Sequence, residues 1–76
     1  MEVDPEGASP FYNNRGTAYY FRKDYQRAIA DYSKAIELNP RYAMAYGNRA
    51  NAYQAIGDRE SAAADRQKAD ELKSGS

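Results

Sequence analysis

Two pairs of oppositely charged residues recur at one spacing and are the first candidates for chemistry. Arg15 precedes Asp31 by the same interval that separates Arg49 from Asp65. A guanidinium at this spacing can pair with its aspartate or grip an anionic ligand. We expect a structural ion pair in each case, because both members recur together at the same offset. Partly buried pairs of this kind favour a specific packing more dependably than they add net stability.

Catalytic and metal-binding chemistry has few other residues to use. The 76 residues contain no histidine and no cysteine, which removes the usual general base, the commonest zinc ligand and every thiolate. The sequence also lacks the glycine pairs of a phosphate-binding loop, and turns, pairing or solvated faces explain the aspartates. We therefore expect a protein that is not an enzyme, with no catalytic residue, no metal and no cofactor.

The charge balance argues against two classes of partner. Eleven basic and eleven acidic side chains give a net charge of zero, whereas most proteins that bind nucleic acids or anionic membranes are strongly basic. No apolar run approaches the roughly 20 residues of a membrane span, and the first residues are not typical of a secretory signal. We expect no nucleic acid and no membrane as partner, and a cytoplasmic location.

An internal repeat indicates the elements that position the charged pairs. Residues 9–42 align with residues 43–76 without a gap, and a fixed period of this length is typical of stacked helical hairpins. Apolar residues recur at helical spacing, and no strand-like alternation appears. The predicted helices cover about 10–22, 25–38, 43–56 and 59–73. Ser9 is the predicted N-cap of the first helix, and Pro10 its first residue.

The repeat divides the chain into two units and two ends. Residues 9–42 form the first unit, and residues 43–73 form the second. Residues 1–8 are expected to be a flexible arm, because they combine three acids, a proline and a glycine with little apolar content. Residues 74–76 resemble a linker. The sequence thus predicts an all-α fold of four antiparallel helices joined by very short turns.

Each unit carries aromatic, small and turn residues at the positions of one common pattern. They are Tyr12, Gly16, Tyr19, Ala28, Tyr32, Ala35 and Pro40 in the first unit, and Tyr46, Ala50, Tyr53, Gly57, Asp58, Ala62 and Ala69 in the second. This pattern resembles the tetratricopeptide repeat, a 34-residue helix–turn–helix. The resemblance implies two hairpins stacked in a right-handed α-solenoid and a non-catalytic role in protein–protein interaction.

The chain departs from the family's pattern at several positions. Arginine stands at positions 15 and 49, where an apolar residue is usual, and Lys23 stands where glycine is usual. Arg66 occupies the place of an aromatic residue, and Ser74 occupies the place of a proline. Compared with the second helix, the last helix has lost its large apolar residues, since Ile29, Tyr32 and Ile36 are replaced by smaller or polar residues. We therefore expect it to be a polar terminal helix that acts as its own cap.

The resemblance also implies a peptide-binding groove lined mainly by the first helix of each unit. The groove positions correspond here to Asn13, Asn14, Thr17, Tyr20 and Phe21, and to Met44, Gly47, Asn48, Asn51, Gln54 and Ala55. Amide side chains both donate to and accept from a peptide backbone, and aromatic rings supply contact area at low entropic cost. The expected partner is therefore a protein or peptide. A complete carboxylate clamp, as found in one subclass of the family, is not expected, because only Asn48 matches it.

Two other interpretations stay open at this point. Phe11 and Phe21 make the outer side of the first helix apolar, and two repeats are fewer than the three usually needed for stable stacking. A homo-oligomer that assembles through the first helix is therefore the first alternative. The second is that the chain is an engineered or excised fragment of a longer repeat scaffold.

Overall fold

The computed structural model describes residues 7–74, and these residues form four α-helices joined by short turns. The helices are α1 (Ala8–Phe21), α2 (Tyr25–Leu38), α3 (Ala43–Ala55) and α4 (Arg59–Ser74). No strand occurs within residues 7–74, and the predicted all-α class is confirmed. Residues 1–6 and 75–76, which belong to the predicted arm and tail, lie outside the described residues.

Both ends of the helical region extend further than the sequence predicts. α1 begins at Ala8, and its N-cap is Gly7 in the left-handed region (φ 83°), not Ser9. Pro10 therefore lies within the first turn, where backbone N–H groups have no partner in the helix and proline is tolerated. Ser74, which the sequence assigns to a linker, is the last residue of α4. Its hydroxyl donates to the backbone carbonyl of Asp70 at 2.9 Å.

The turns inside the two hairpins share one design, a left-handed residue followed by an aspartate. The left-handed residue is Lys23 (φ 65°) in the first turn and Gly57 (φ 87°) in the second. Asp24 and Asp58 then each accept a hydrogen bond from the backbone N–H three residues later, at 3.3 and 3.1 Å. These bonds cap α2 and α4, while the left-handed lysine carries a conformational cost of roughly 1–2 kcal/mol that glycine avoids.

Each helix packs against the next one along the chain. α1 packs on α2, α3 packs on α4, and α2 joins the two hairpins by packing on α3, whereas α1 and α3 touch at few positions. This order of contacts is that of two helical hairpins in a solenoid-like arrangement.

The core between the hairpins is built around one tyrosine ring. Tyr32 of α2 is 2% exposed, and it clusters with Ala28 of the same helix and Ala52 of α3. Gly16 of α1 lies against the ring, since a Cβ at this position would be 2.9 Å from two ring carbons. Most other buried apolar residues are alanines. Small residues therefore let the helices approach closely, and tyrosine fills the space that is left.

Candidate functional site

An open pocket of about 380 Å³ lies between α3 and α4. It brings together four residues that the sequence predicts for the groove, Met44, Gly47, Asn48 and Asn51. The full lining consists of Ala43, Met44, Gly47, Asn48 and Asn51 from α3, and Arg66, Ala69, Asp70 and Lys73 from α4. The pocket therefore combines amides, one thioether and charges of both signs on the walls of a single hairpin.

Arg66 of α4 organises the amides on α3. Its Nη2 donates to Oε1 of Gln54 at 2.7 Å and to Oδ1 of Asn51 at 3.3 Å. All three side chains are exposed, so solvent reaches this network. Since the amide oxygens already face the guanidinium, this side of the pocket presents mainly hydrogen-bond donors.

Asn13 and Thr17, which the sequence predicts for the groove, both make side-chain hydrogen bonds within the protein, and Asn13 is buried. Asn13 is 3% exposed, and its Oδ1 accepts a hydrogen bond from Nδ2 of Asn48 at 3.1 Å. The Thr17 hydroxyl donates to the backbone oxygen of Asn13 at 3.1 Å and shares a hydrogen bond with the Tyr32 hydroxyl at 2.9 Å. Asn13 thus bonds to α3 and Thr17 bonds to α2, because polar groups at helix contacts need protein partners.

The other predicted residues of α1 do not line the pocket. Asn14 is exposed, and Phe21 is 76% exposed. Tyr20 is half-buried and makes edge-on ring contacts with Phe21 and Tyr25, with centroid distances of 5.6 and 5.5 Å. Of the predicted groove residues, those on α1 thus include an aromatic patch, and those on α3 share a polar pocket with α4.

The structure brings each arginine–aspartate pair together within its hairpin. Arg15 donates to both carboxylate oxygens of Asp31, through Nε at 2.8 Å and Nη2 at 3.0 Å. Arg49 does the same to Asp65, at 2.7 and 2.8 Å. A two-bond fork of this kind is the strong geometry for a guanidinium and a carboxylate. Both forks are occupied by protein carboxylates, which favours a structural role over the grip on an anionic ligand.

Two aromatic rings lie beside each of the two guanidinium groups. Arg15 lies 5.4 and 5.5 Å from the ring centroids of Phe11 and Tyr12, and Arg49 lies 5.6 and 5.7 Å from two tyrosine rings of α3. The hydrogen bond to Asp31 raises the pKa of Arg15, and the corresponding bond to the aspartate of α4 raises the pKa of Arg49. Rings and carboxylates together hold both arginines in their charged form.

The sequence does not predict four pocket residues of α4, because it indicates a groove lined mainly by the first helices and all the named groove positions lie there. They are Arg66, Ala69, Asp70 and Lys73. The repeat offset carries the signal that could have found them. Tyr32 and Ala35, which precede Arg66 and Ala69 by one repeat, occupy buried positions of the first hairpin. The polar residues of α4 thus form a wall of the pocket as well as a solvated end.

Within residues 7–74, no group of three or more acidic, histidine or cysteine side chains is placed so that it could hold a metal ion. None of the four helices combines the length and the apolar character needed to cross a membrane.

Comparison with known families agrees with the hairpin architecture. Two sequence models described as tetratricopeptide repeat match the chain, one over residues 9–42 and the other over residues 31–65. The first match coincides with the first repeat, and the second runs from the middle of α2 through α3 into α4. With two hairpins related by a fixed period and matches that span most of both, the chain belongs to the tetratricopeptide repeat family.

Proposed function

We propose that this chain is a non-catalytic protein-interaction module that binds a peptide segment in the pocket between α3 and α4. Tetratricopeptide repeats are generally protein-interaction scaffolds without enzyme activity, and this supports the binding role. The observation that carries the choice of site is the convergence of Asn48 and Asn51 with Arg66 and Lys73 around one pocket.

The chemistry of the pocket suits a peptide backbone with an acceptor-rich end. Arg66, Lys73 and the amide nitrogen atoms can donate to backbone carbonyls, and Asp70 can accept from a backbone N–H. Met44 is 62% exposed and offers a flexible apolar contact. The half-buried Tyr20 would extend the contact along α1. Because the pocket is open and small, we expect an affinity of about 1 µM or weaker.

The experiment selects peptides from a phage-displayed random library and titrates one synthetic winner into labelled protein by NMR. We expect amide shifts to cluster on α3 and α4. Asn51→Ala should weaken binding by about tenfold, equivalent to about 1.4 kcal/mol. The substitution removes an amide nitrogen that can donate to the peptide and an amide oxygen that accepts from Arg66. The matched control is Gln26→Ala, which removes an exposed amide of α2 that does not line the pocket.

Either of two results would contradict the proposal. One is that selected peptides shift α2 residues and leave the pocket unchanged. The other is that Gln26→Ala weakens binding as much as Asn51→Ala does. A second pair of variants, Lys73→Ala in the pocket and Lys68→Ala outside it, repeats the comparison with exposed lysines of the same helix.

A further inference from the structure

The α3–α4 pocket is the second hairpin's equivalent of a face that the first hairpin keeps buried. The pocket residues Ala43, Gly47, Arg66 and Ala69 follow Ser9, Asn13, Tyr32 and Ala35 by one repeat. The four members in the first hairpin are at most 3% exposed. Within residues 7–74 no helix packs over the corresponding face of the second hairpin. The pocket therefore has the shape of a position that a helix equivalent to α3 would occupy.

α3 covers the face of the first hairpin through three side chains. Ala52 packs against the buried tyrosine ring of α2. Asn48 donates to the buried asparagine of α1 at 3.1 Å. Arg49 donates to the hydroxyl of Ser33 in α2 at 3.1 Å. One packed methyl group and two polar contacts are thus part of the joint between the hairpins.

α1 presents the counterparts of these three side chains to solvent. Ala18, Asn14 and Arg15 precede them by one repeat, and all three are exposed. At the same offset, Phe11 of α1 is 54% exposed, whereas Ala45 of α3 is fully buried. α1 therefore exposes the face that α3 uses to cover a hairpin.

The residues at two further positions of these faces also differ in size from their counterparts one repeat away. Phe11 on α1 is larger than Ala45, and Gly47 in the pocket is smaller than Asn13. A Cβ at Gly47 would meet no atom within 4 Å. The pocket of about 380 Å³ therefore has room for the additional ring.

We infer that the α3–α4 pocket receives helix α1 of a second copy of this chain, in the manner that α3 covers α1 and α2. This rests on the proposed function, because it names the protein segment for the same pocket. Phe11 enters the pocket beside Gly47, and Arg15 reaches Gln67, the residue that occupies the place of Ser33 in the second repeat. The contact joins two different surfaces of the chain. Every assembly therefore has an open pocket at one end and an open α1 face at the other, so that further copies add head to tail.

The test begins with sedimentation velocity of the whole chain between about 10 µM and about 2 mM. We expect the weight-average mass to rise steadily with concentration and without a plateau at the dimer. Phe11→Ala should weaken the association by about tenfold or more, since buried aromatic anchors dominate such contacts. Phe21→Ala is the matched control. Its ring is 76% exposed, and its counterpart Ala55 is exposed in α3, outside the joint.

A mixing experiment separates association from misfolding. Gly47→Phe fills the pocket at a position with open space and replaces a helical glycine by a better helix former. At a concentration just high enough for the unchanged chain to associate, Phe11→Ala alone and Gly47→Phe alone should each stay close to the monomer mass. Mixed together they should form one dimer of twice that mass, because one variant keeps an intact pocket and the other keeps an intact α1 face.

Three outcomes would overturn the inference. They are a constant monomer mass across the concentration range, association that Phe21→Ala weakens as much as Phe11→Ala, and variants that fail to form the mixed dimer. Peptide binding to Phe11→Ala distinguishes this failure from failure of the proposed function, because the substitution lies outside the pocket. A monomeric chain that still binds a selected peptide through Asn51 retains the function and has a foreign partner.

Discussion

At the scale of single residues, the two ion pairs share one geometry but differ in their exposure to water. The side chain of Arg49 is 19% exposed and that of Arg15 is 47% exposed, while both aspartates are 8% exposed. Arg49 also donates to Ser33 of the preceding hairpin at 3.1 Å. Because water screens an exposed pair and leaves a shielded one strong, the pair of the second hairpin should contribute more to stability.

Removal of each aspartate tests this difference. We expect Asp65→Ala to lower the free energy of unfolding by about 2–4 kcal/mol, because it leaves a shielded guanidinium without its partner. Asp31→Ala should lower it by a smaller amount, since water can solvate the more exposed Arg15. Urea unfolding followed by circular dichroism measures both values.

The control for these variants is Asp70→Ala, which removes an exposed aspartate of α4 whose carboxylate takes part in no ion pair among residues 7–74. It should change stability by less than about 0.5 kcal/mol. Equal losses for Asp31→Ala and Asp65→Ala would show that exposure does not govern the two pairs.

At the scale of helices, one glycine sets how closely α1 approaches α2. A Cβ at Gly16 would lie 2.9 Å from ring carbons of Tyr32 and 3.2 Å from the backbone oxygen of Ala28. In the second hairpin Ala50 stands at the equivalent position, and there Arg66 replaces the tyrosine. The choice between glycine and alanine in the first helix thus follows the size of the residue that faces it from the second helix.

Two glycine substitutions with opposite expected signs test this account. Gly16→Ala should lower the free energy of unfolding by about 1–3 kcal/mol, because overpacking against a buried ring and backbone exceeds the gain in helix propensity. Gly47→Ala should raise it by about 0.5–1 kcal/mol, because the added methyl group meets open space within a helix. Chemical denaturation of both variants under the same conditions gives the comparison.

A rise in stability for Gly16→Ala would mean that α1 can move away from Tyr32 at little cost. In that case the close approach of the two helices would not be set by this residue. Gly47→Ala then still reports the effect of helix propensity alone, which makes it the reference for the first variant.

At the scale of the whole molecule, stability depends on a small core and on the joint between two hairpins. The buried apolar residues are one tyrosine and several alanines, which remove less apolar surface from water than larger aliphatic side chains would. In stacked repeats each joint adds a nearest-neighbour contribution. A chain with one internal joint is therefore expected to be modestly stable and to gain from any helix that covers the α3–α4 pocket.

A tandem chain in which residues 9–42 are repeated after Ser76, so that the 34-residue period continues, tests this expectation. The added copy of α1 should cover the pocket and raise the urea midpoint of the whole chain in one cooperative transition. The control carries Phe11→Lys in the added copy alone, and it should lose most of that gain. Two separate transitions, or an unchanged midpoint, would show that the added hairpin does not couple to the pocket.

The sequence alone was sufficient for the features that depend on local spacing. Helical periodicity, the turn signals that precede each aspartate cap, and the internal repeat together predict two helical hairpins. The Arg15–Asp31 contact follows from the same information, because a short turn brings these two positions onto facing helices. These features lie within one hairpin, where chain connectivity restricts the geometry to few solutions.

Contacts between hairpins and around the pocket were decided by tertiary packing. Asn13 and Asn14 are adjacent and chemically identical, yet Asn13 is buried beneath α3 and bonded to Asn48, while Asn14 is exposed. A helix turns by about 100° per residue, so the direction from which α3 approaches α1 decides which asparagine is accessible. In the same way the sequence located Arg66 on a polar helix, but the packing of α4 against α3 is what makes this residue part of the pocket.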